Sequence, residues 1–343
     1  MATMKDIALR TGVSVATVSN VLNGKPGAAS DSKAQEIFTI AQELHYHPNS
    51  FAKNLKLRRS NSIGIITEDL TVFNTPEIVD GIESYCEEHG YEIIVDNMRL
   101  FKRYRNDFTD TPQHSRYFEN ALSTLVSKQV EGIVYVGYHC REISFLPTFG
   151  DIPFVYAYCF PKGGGFSSVY PDDENAGYHV GQTLIRCGHR KIGVIVGPVT
   201  SIHAQSRLCG FQRALLENQI LYNPETTFWG DWSRNSSYEI AEKLLSMDIT
   251  AIFAMNDLMA SGVYTYCLEH NIAVGRDISL FGYDNRDIVD LYSPAISSVA
   301  PPLHEIGRKS AELVLRQIQS NTLINERFLL PCSVHLRDSV VRI

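Results

Sequence analysis

The chain has 343 residues, of which 44% are hydrophobic and 20% are charged, with a formal net charge of −7. This composition excludes a disordered or fibrous protein, and the length predicts two or three domains. Residues 1–60 hold eight Lys or Arg and four Asp or Glu, a net of +4, which leaves −11 for residues 61–343. The acidic body argues against bulk affinity for nucleic acid, whereas the basic head fits a segment that contacts DNA.

The seven cysteines form no CxxC pair and are odd in number. This usage favours reduced, mostly buried thiols over a disulfide or zinc framework. No secretion-signal-like apolar segment follows Met1, and no apolar run has membrane-spanning length. We therefore expect a cytoplasmic protein that contacts no membrane and carries no metal ion or cofactor.

The first 23 residues predict two short helices joined by a tight turn. The first follows Thr3, a possible N-cap, and Gly12 ends its apolar periodicity; Ser14 can cap a second helix over residues 15–22. The positions expected to face inward are Val13, Val18 and Leu22. The positions expected to face outward are Val15, Ala16, Thr17, Ser19 and Asn20. This pattern is typical of a helix-turn-helix that presents its second helix to the DNA major groove, with an ordinary αα-hairpin as the alternative.

A third helix is predicted from Ser30 or Asp31 to about His45, and Pro48 ends the all-α unit. The segment SFAKNLKL over residues 50–57 is basic, has helical spacing of its apolar residues, and is too short to form a stable helix alone. We expect a head over residues 1–48, a hinge helix and linker over 49–62, and a core over 63–343.

From Ile63 onward apolar strands alternate with amphipathic helices. The predicted strands are SIGIITED, YEIIVDN, VEGIVYVG, IPFVYAY, KIGVIVGP, TTFWGD, AIFAMND, ISLFGYD, RFLLP and CSVHLR. The predicted helices are PEIVDGIESYCEEHG, FENALSTLVSKQ, NAGYHVGQTLIRCG, SRLCGFQRALLENQ, SSYEIAEKLLS, MASGVYTYCLEHN and residues 304–319. The alternation predicts two doubly wound parallel-sheet lobes, lobe 1 over about 63–165 and 294–324 and lobe 2 over about 166–293 and 325–343.

A ligand in such a fold binds beyond the carboxyl ends of the strands. Aromatic and polar residues gather at those ends: Phe73, Asn74, His139, Arg207, Trp232, Asn256, Asp257, Asp284 and Asn285. A tryptophan face with planar polar side chains suits a sugar. The structural alternatives are that Asp257 and Asp284 cap helices, that Asn256 holds a turn and that Trp232 belongs to the core.

The motifs of common enzymes are absent. The chain has no glycine-rich dinucleotide or phosphate loop, no GxSxG elbow and no HExxH. His189 precedes a strand and is expected to be structural, and the glycine run 163–165 is expected to be a loop. We therefore predict that the protein is not an enzyme.

Taken together, these strings resemble the LacI/GalR family of bacterial transcription regulators over essentially the whole chain. The resemblance lies in MKDIALRTGVSVATVSNVLNG and ELHYHPNSFAKNLK in the head, and in GHRKIGVIVGP, RLCGFQRAL, AIFAMNDLMASGV and ISLFGYDN in the core. It implies a helix-turn-helix head, a hinge helix and a two-lobed core like a periplasmic sugar-binding protein. It also implies a dimer on a palindromic operator.

The resemblance assigns roles in DNA binding. Val15 and Ala16 fall at the base-reading positions, with Thr17 and Asn20 completing that face, and Leu55 falls at the position of a minor-groove wedge. Asn20 can pair bidentately with adenine. Ser14 and Thr17 are implied phosphate contacts, and Ala52 packs beside the wedge. The remaining implied DNA-contacting residues are Thr3, Asn23, Asn49 and Lys56.

The resemblance also assigns the effector site. Arg207, Asn256 and Asp284 match ligand-contact positions, Trp232 matches the aromatic stacking position, and Asp172 matches a polar position that opens the second lobe. Phe73 and Asn74 complete the predicted set.

Three departures from the family pattern concern the ligand. Asp173 replaces the usual Asn, and Pro301 stands where many members carry a glutamine. The stretch LFKRYRNDFTDTPQHSR, within residues 99–117, makes the chain longer by about a dozen residues. We expect this stretch near the cleft mouth, capping the ligand, contacting a partner or, as the favoured interpretation, simply solvated.

The expected function is a repressor of carbohydrate-utilisation genes, switched by a small sugar or sugar phosphate between the lobes. One alternative is a cytoplasmic sugar-binding or sugar-modifying protein whose N-terminal hairpin mediates assembly. Another is a regulator controlled by a phosphocarrier protein. Because Val341-Arg342-Ile343 ends the chain without a heptad tail, a homodimer is favoured over a tetramer.

Overall fold

The computed structural model describes residues 2–46, 60–105, 111–147 and 152–343. The chain forms two compact units, Met1–Ser60 and Asn61–Ile343, close to the predicted boundary between linker and core. The predicted hinge contacts Asn49, Ala52, Leu55 and Lys56 lie outside the described residues.

The first unit is a small all-α bundle. Its described helices are α1 Met4–Thr11, α2 Val15–Leu22 and α3 Asp31–Glu43. The turn between α1 and α2 requires Gly12 at φ 68°, a left-handed conformation in which glycine carries no Cβ penalty. Ser14 then caps α2, its Oγ accepting a hydrogen bond from the Thr17 backbone at 3.0 Å.

The core of this unit is formed by one face of each helix. Its buried members are Ile7, Ala8, Val18, Val21, Ile37 and Ala41. Val13 and Leu22, predicted to face inward, are partly buried and pack against this core, and Val21, at 5% exposed, is a core member that the sequence pattern did not predict.

The described part of the second unit contains two large parallel sheets and two small two-stranded sheets. Its strands are β1 Ser62–Thr67, β2 Glu92–Asn97, β3 Gly132–Val136, β4 Glu142–Ile143, β5 Phe154–Ala157, β6 Phe160–Pro161, β7 Ser167–Pro171, β8 Ile192–Val196, β9 Thr227–Trp229, β10 Ala251–Ala254, β11 Ser279–Phe281, β12 Ser298–Ala300, β13 Arg327–Leu330 and β14 Ser333–His335. The first sheet has the order β13-β7-β5-β3-β1-β2, and the second has the order β11-β10-β8-β9. Every described pair within these two sheets is parallel.

Helices cover both faces of the first sheet. The helices of this unit are α4 Asn74–Glu88, α5 Leu100–Tyr104, α6 Pro112–Ser127, α7 Asp173–Arg186, α8 Ile202–Glu217, α9 Arg234–Leu245, α10 Asp257–Glu269 and α11 Leu303–Ser320. Apolar side chains of α4 and α11 pack with one set of strand residues, and those of α6 pack with the other. Strands β1 and β3 are therefore buried along their whole length, which explains their continuous apolar sequence.

The predicted boundary between the lobes and the predicted start of one helix were wrong. Strands β7 and β13 pair with each other in the first sheet, although residues 166–171 and 325–330 were assigned to lobe 2. The helix predicted from Phe118 begins at Pro112, because Thr111 caps it with a 3.3 Å hydrogen bond from the His114 backbone. The chain consequently crosses between the lobes after β7, before α11 and after β13.

Candidate DNA-binding surface and effector cavity

The outward face of α2 carries the predicted base readers. Val15 is 41% exposed, and Ala16 and Asn20 are exposed beside it. No partner for the Asn20 side-chain amide occurs in the described part of the chain, so both its donor and its acceptor face solvent. This arrangement fits bidentate pairing with adenine.

The other predicted DNA contacts near α2 are exposed, or partly exposed in the case of Thr17, and already hold local structure. The Ser14 and Thr17 hydroxyl oxygens lie 2.9 Å apart, and Asn23 Nδ2 donates to the Ser19 carbonyl at 2.7 Å. Thr3 Oγ1 donates to the Asp6 carboxylate at 2.8 Å. These hydrogen bonds fix the helix ends, and the contacts to phosphate remain predictions.

A cavity of about 400 Å³ lies between the two lobes, at the carboxyl ends of their strands. It is lined by six of the seven residues predicted to bind the effector: Phe73, Asn74, Arg207, Trp232, Asn256 and Asp284. Its volume lies within the range of about 300–1,000 Å³ that is usual for small-molecule sites.

Arg207 is the most firmly held polar side chain of the cavity. Its Nε donates to Asp173 Oδ1 at 2.7 Å, and its Nη1 donates to the Met255 carbonyl at 2.6 Å. Its guanidinium also stacks on the Tyr283 ring, with Cζ 3.4 Å from the centroid. Arg207 is only 3% exposed, so its orientation is set before any ligand binds.

Asp173 is the counter-ion that makes this burial possible. Its carboxylate accepts hydrogen bonds from Arg207, from His203 Nδ1 and, at 2.8 Å, from the Tyr283 hydroxyl. Burial opposes ionisation, but Arg207 and His203 outweigh it and hold the pKa of Asp173 below its usual range. The same pairing outweighs burial at Arg207 and raises the pKa of its guanidinium.

Two glycines bring these partners together by letting α7 and α8 approach closely. A Cβ on Gly177 would lie 2.0 Å from the Arg207 carbonyl oxygen, and one on Gly210 would lie 1.7 Å from the Glu174 carbonyl oxygen. No larger residue fits either position without separating the helices. Asp173 opens α7 and Arg207 lies on α8, so this approach sets the distance between them.

His203 and His139 each join the two lobes through a hydrogen bond. Cys140 N donates to His203 Nε2 at 3.1 Å, and His203 Nδ1 faces the Asp173 carboxylate. His139 Nε2 lies 3.2 Å from Ser201 Oγ. Burial, followed by His203 and nearby arginines, holds the pKa of His139 well below its usual range.

Trp232 forms an aromatic wall, as its position in the sequence predicts. Gly197 provides the space, because a Cβ there would lie 2.1 Å from the indole ring. Trp232 has a positive φ of 69°, which costs a non-glycine residue strain and is typical of functional sites. Its buried Nε1 has no hydrogen-bond partner among the described residues.

Asn256 and Asp284 complete the polar side of the second lobe. Asn256 Oδ1 accepts from Met259 N at 2.7 Å and Nδ2 donates to the Trp232 carbonyl at 3.2 Å, so Asn256, not Asp257, caps α10. Burial raises the pKa of Asp284, the nearby Asp257 adds to the rise, and Arg207 only partly opposes it.

In the first lobe, the side-chain amide of Asn74 is a group to which a ligand can hydrogen-bond. It is fully buried, yet neither Nδ2 nor Oδ1 has a hydrogen-bond partner in the described ranges of the chain. Leaving a buried polar group unpaired costs about 1–3 kcal/mol. A ligand that hydrogen-bonds this amide would offset that cost.

The predicted effector contact of Asp172 is not supported. Asp172 does not line the cavity, and its Oδ1 instead accepts from Asn175 N at 3.0 Å as the cap of α7. The carboxylate that pairs with Arg207 is that of its neighbour Asp173, which turns inward because α7 packs closely on α8. In the sequence, Asp173 stands out only as a departure from the family pattern.

The additional stretch after β2 is not wholly solvated, contrary to the favoured interpretation. It begins with α5, which places Phe101 in the cavity wall.

The sequence did not predict a buried ion pair in the first lobe, in which Arg141 Nη2 lies 2.8 Å from Glu68 Oε1. Glu68 directly follows β1, and nothing in its local sequence marks it as buried.

No group of His, Cys, Asp and Glu among the described residues is arranged to hold a metal ion. Within the same residues, no helix is long and apolar enough to cross a membrane. His189 is buried, with Nδ1 2.9 Å from Thr250 Oγ1 and Nε2 3.0 Å from the Val341 carbonyl.

Comparison with known proteins identifies both units. The family described as bacterial regulatory proteins, lacI family, matches residues 3–49, and a periplasmic binding protein-like domain matches residues 165–340. The HTH-type transcriptional repressor PurR of Vibrio parahaemolyticus is 27% identical over an alignment of 350 residues that covers 100% of both chains. The ribose operon repressor of Haemophilus influenzae is 29% identical over 345 residues, covering 99% of each chain.

A solved structure shows the same architecture. The crystal structure of the lac repressor dimer bound to operator and the anti-inducer ONPF matches with a TM-score of 0.80 at 25% identity, covering 99% of each chain. The predicted fold class, a helix-turn-helix head followed by a two-lobed periplasmic-binding-protein-like core, is thereby confirmed. The chain belongs to the lacI family of bacterial regulatory proteins, which are DNA-binding transcriptional regulators and not enzymes.

Proposed function

We propose that this protein represses carbohydrate-utilisation genes by binding a palindromic operator as a homodimer, and that a small sugar-like effector in the interlobe cavity switches this binding. The observation that carries the proposal is the preorganised Arg207, held by Asp173 and facing the same cavity as the unpaired Asn74 amide. A regulator's DNA is in the cytoplasm of a bacterium, and we propose that location for this chain.

The chemistry of the cavity supports a sugar. Trp232 offers an aromatic face for ring C–H groups, while Arg207 and Asn256 offer planar hydrogen-bonding groups for vicinal hydroxyls. The likeness to the ribose operon repressor supports the same class.

A purine effector is a second candidate, because the repressor PurR is among the relatives. Phe73 and Trp232 both line the cavity and could enclose a planar base. Purine bases therefore belong in any ligand screen beside the sugars, and tight binding of a purine without binding of any saccharide would replace the carbohydrate proposal.

Switching follows from the position of the cavity between the lobes. Cys140 with His203, and His139 with Ser201, already join the lobes directly. A ligand that contacts both sides favours one angle between them. The predicted hinge segment over residues 50–57 is marginal as a helix, so a change in the distance between the two hinge segments of a dimer would decide whether they fold on DNA. Complete reversal of a 1:99 equilibrium needs about 5.5 kcal/mol of differential ligand binding.

The proposal is tested by gel shift on the DNA upstream of the protein's own gene. The full chain should bind a discrete site as a dimer, whereas a variant lacking residues 1–60 should not bind and should still bind the effector. Asn20→Ala should weaken binding to the site while leaving the melting temperature of the core unchanged. Equal binding by the truncated and full chains would overturn the proposal, as would a site occupied by a monomer in sedimentation.

A further inference from the structure

The short helix α5 is fixed to the end of strand β1 and directs Phe101 to the cavity. Leu100 is 1% exposed, and its backbone N donates to the Glu68 carbonyl at 2.7 Å. Lys102 N donates to Asp69 Oδ2 at 3.1 Å. Because both acceptors directly follow β1, Phe101 is held between two anchored neighbours and its position in the wall is defined.

Phe101 forms a second aromatic platform, separate from Trp232. The Phe101 ring lies 5.9 Å from the Tyr138 ring at an interplanar angle of 69°. The next residue, His139, meets Trp232 at 6.4 Å and 63°. The two aromatic platforms therefore lie on either side of the consecutive residues Tyr138 and His139, with Phe101 on the first lobe and Trp232 on the second.

Each platform has its own planar polar groups. Arg207 and Asn256 accompany Trp232 in the second lobe, and the buried, unpaired amide of Asn74 lies in the first lobe with Phe101. A ligand that stacks on Trp232 and also pairs with the Asn74 amide must contact both lobes. A cavity of about 400 Å³ is also larger than one pyranose ring requires.

We infer that the effector is a saccharide of two rings, one stacked on Trp232 and the other on Phe101. The inference rests on the proposed sugar-responsive function and narrows its ligand class. Phe101 is a specificity-determining residue that reads the second ring.

Isothermal titration calorimetry on the full chain tests the inference with matched ligands. The probes are glucose with cellobiose and maltose, galactose with lactose and melibiose, xylose with xylobiose, and the 6-phosphates of glucose and galactose. At least one disaccharide should bind about tenfold or more tightly than its constituent monosaccharides. Phe101→Ala should remove most of this advantage and change monosaccharide affinity by less than about twofold.

Two further variants separate ring recognition from folding of the segment. Phe101→Tyr keeps the aromatic face and should retain disaccharide affinity. Tyr104→Ala removes a ring of the same helix that packs on His114 at 4.3 Å, outside the cavity wall, and should also retain it. If Tyr104→Ala and Phe101→Ala lose disaccharide affinity equally, Phe101 has no reading role and the inference is overturned.

The remaining outcomes are distinguishable from failure of the proposed function. Monosaccharides or sugar phosphates that bind through Trp232 at least as tightly as every disaccharide would keep the sugar-responsive function and overturn the two-ring ligand. Absence of binding by all saccharides would overturn both.

Discussion

Asp173→Asn probes the buried ion pair that holds the effector cavity in shape. Asp173 is 5% exposed and Arg207 3% exposed, so solvent screens their interaction little. The substitution leaves the guanidinium buried beside a neutral amide. Breaking a buried pair by removing one partner costs about 3–5 kcal/mol. We expect the free energy of unfolding of the core to fall by about this amount at neutral pH, with loss of ligand affinity because Arg207 is no longer held.

The loss should depend on pH in a defined direction. The folded-state pKa of Asp173 is lowered, because Arg207 and His203 outweigh the effect of burial. A lowered pKa contributes stability above the unfolded value, about 3.9 for Asp, and that contribution is lost as the pH falls below it. The difference between wild type and Asp173→Asn should therefore be full at pH 7 and shrink below about pH 4.

Urea denaturation followed by circular dichroism measures both effects. Glu174→Gln is a matched control, since Glu174 is the next residue of α7 and its Oε1 pairs with Arg213 Nη1 of α8 at 2.8 Å. That pair is 41% and 47% exposed, so its loss should cost no more than about 1 kcal/mol. Equal losses in the two variants, or an Asp173→Asn effect that stays constant below pH 4, would refute the reasoning.

Three further substitutions test other parts of the account. Gly210→Ala should lower the melting temperature of the core, because the added Cβ meets a carbonyl oxygen of α7 and overpacking costs about 1–3 kcal/mol; an unchanged melting curve would contradict the close helix approach. Trp232→Ala should abolish the effector response in gel shifts and leave operator affinity near wild type, and a surviving response would remove Trp232 from the site. Leu55→Ala should weaken binding to the operator far more than to nonspecific DNA, since a wedge acts only on a kinked duplex; parallel losses on both DNAs would exclude a wedge.

The elements that carry local signals could be predicted from the sequence. Alternation of apolar strands with amphipathic helices predicted the parallel sheets, and the rule that ligands bind at strand carboxyl ends brought Asn74, Trp232 and Asp284 into one cavity. Caps at Ser14 and Ser30 marked α2 and α3 correctly. These features depend on residues close together in the chain.

The features that were missed depend on contacts between distant residues. Asp172 and Asp173 look equivalent in sequence, and only the close packing of α7 on α8 turns the second one towards Arg207. Strand β7 belongs to the first sheet because it pairs with β13, more than a hundred residues later. Helix α5, with five residues, is too short to be stable alone and forms only on the anchors at the end of β1.

The central claim is that the cavity and the operator site are energetically coupled. The most direct measurement is the affinity of the identified effector for the full chain in the absence and in the presence of saturating operator DNA. We predict that the two effector affinities differ by about 5–150-fold, and that the operator affinities measured without and with effector differ by the same factor. An effector that binds in the cavity with the same affinity to the free and the operator-bound protein would contradict the account.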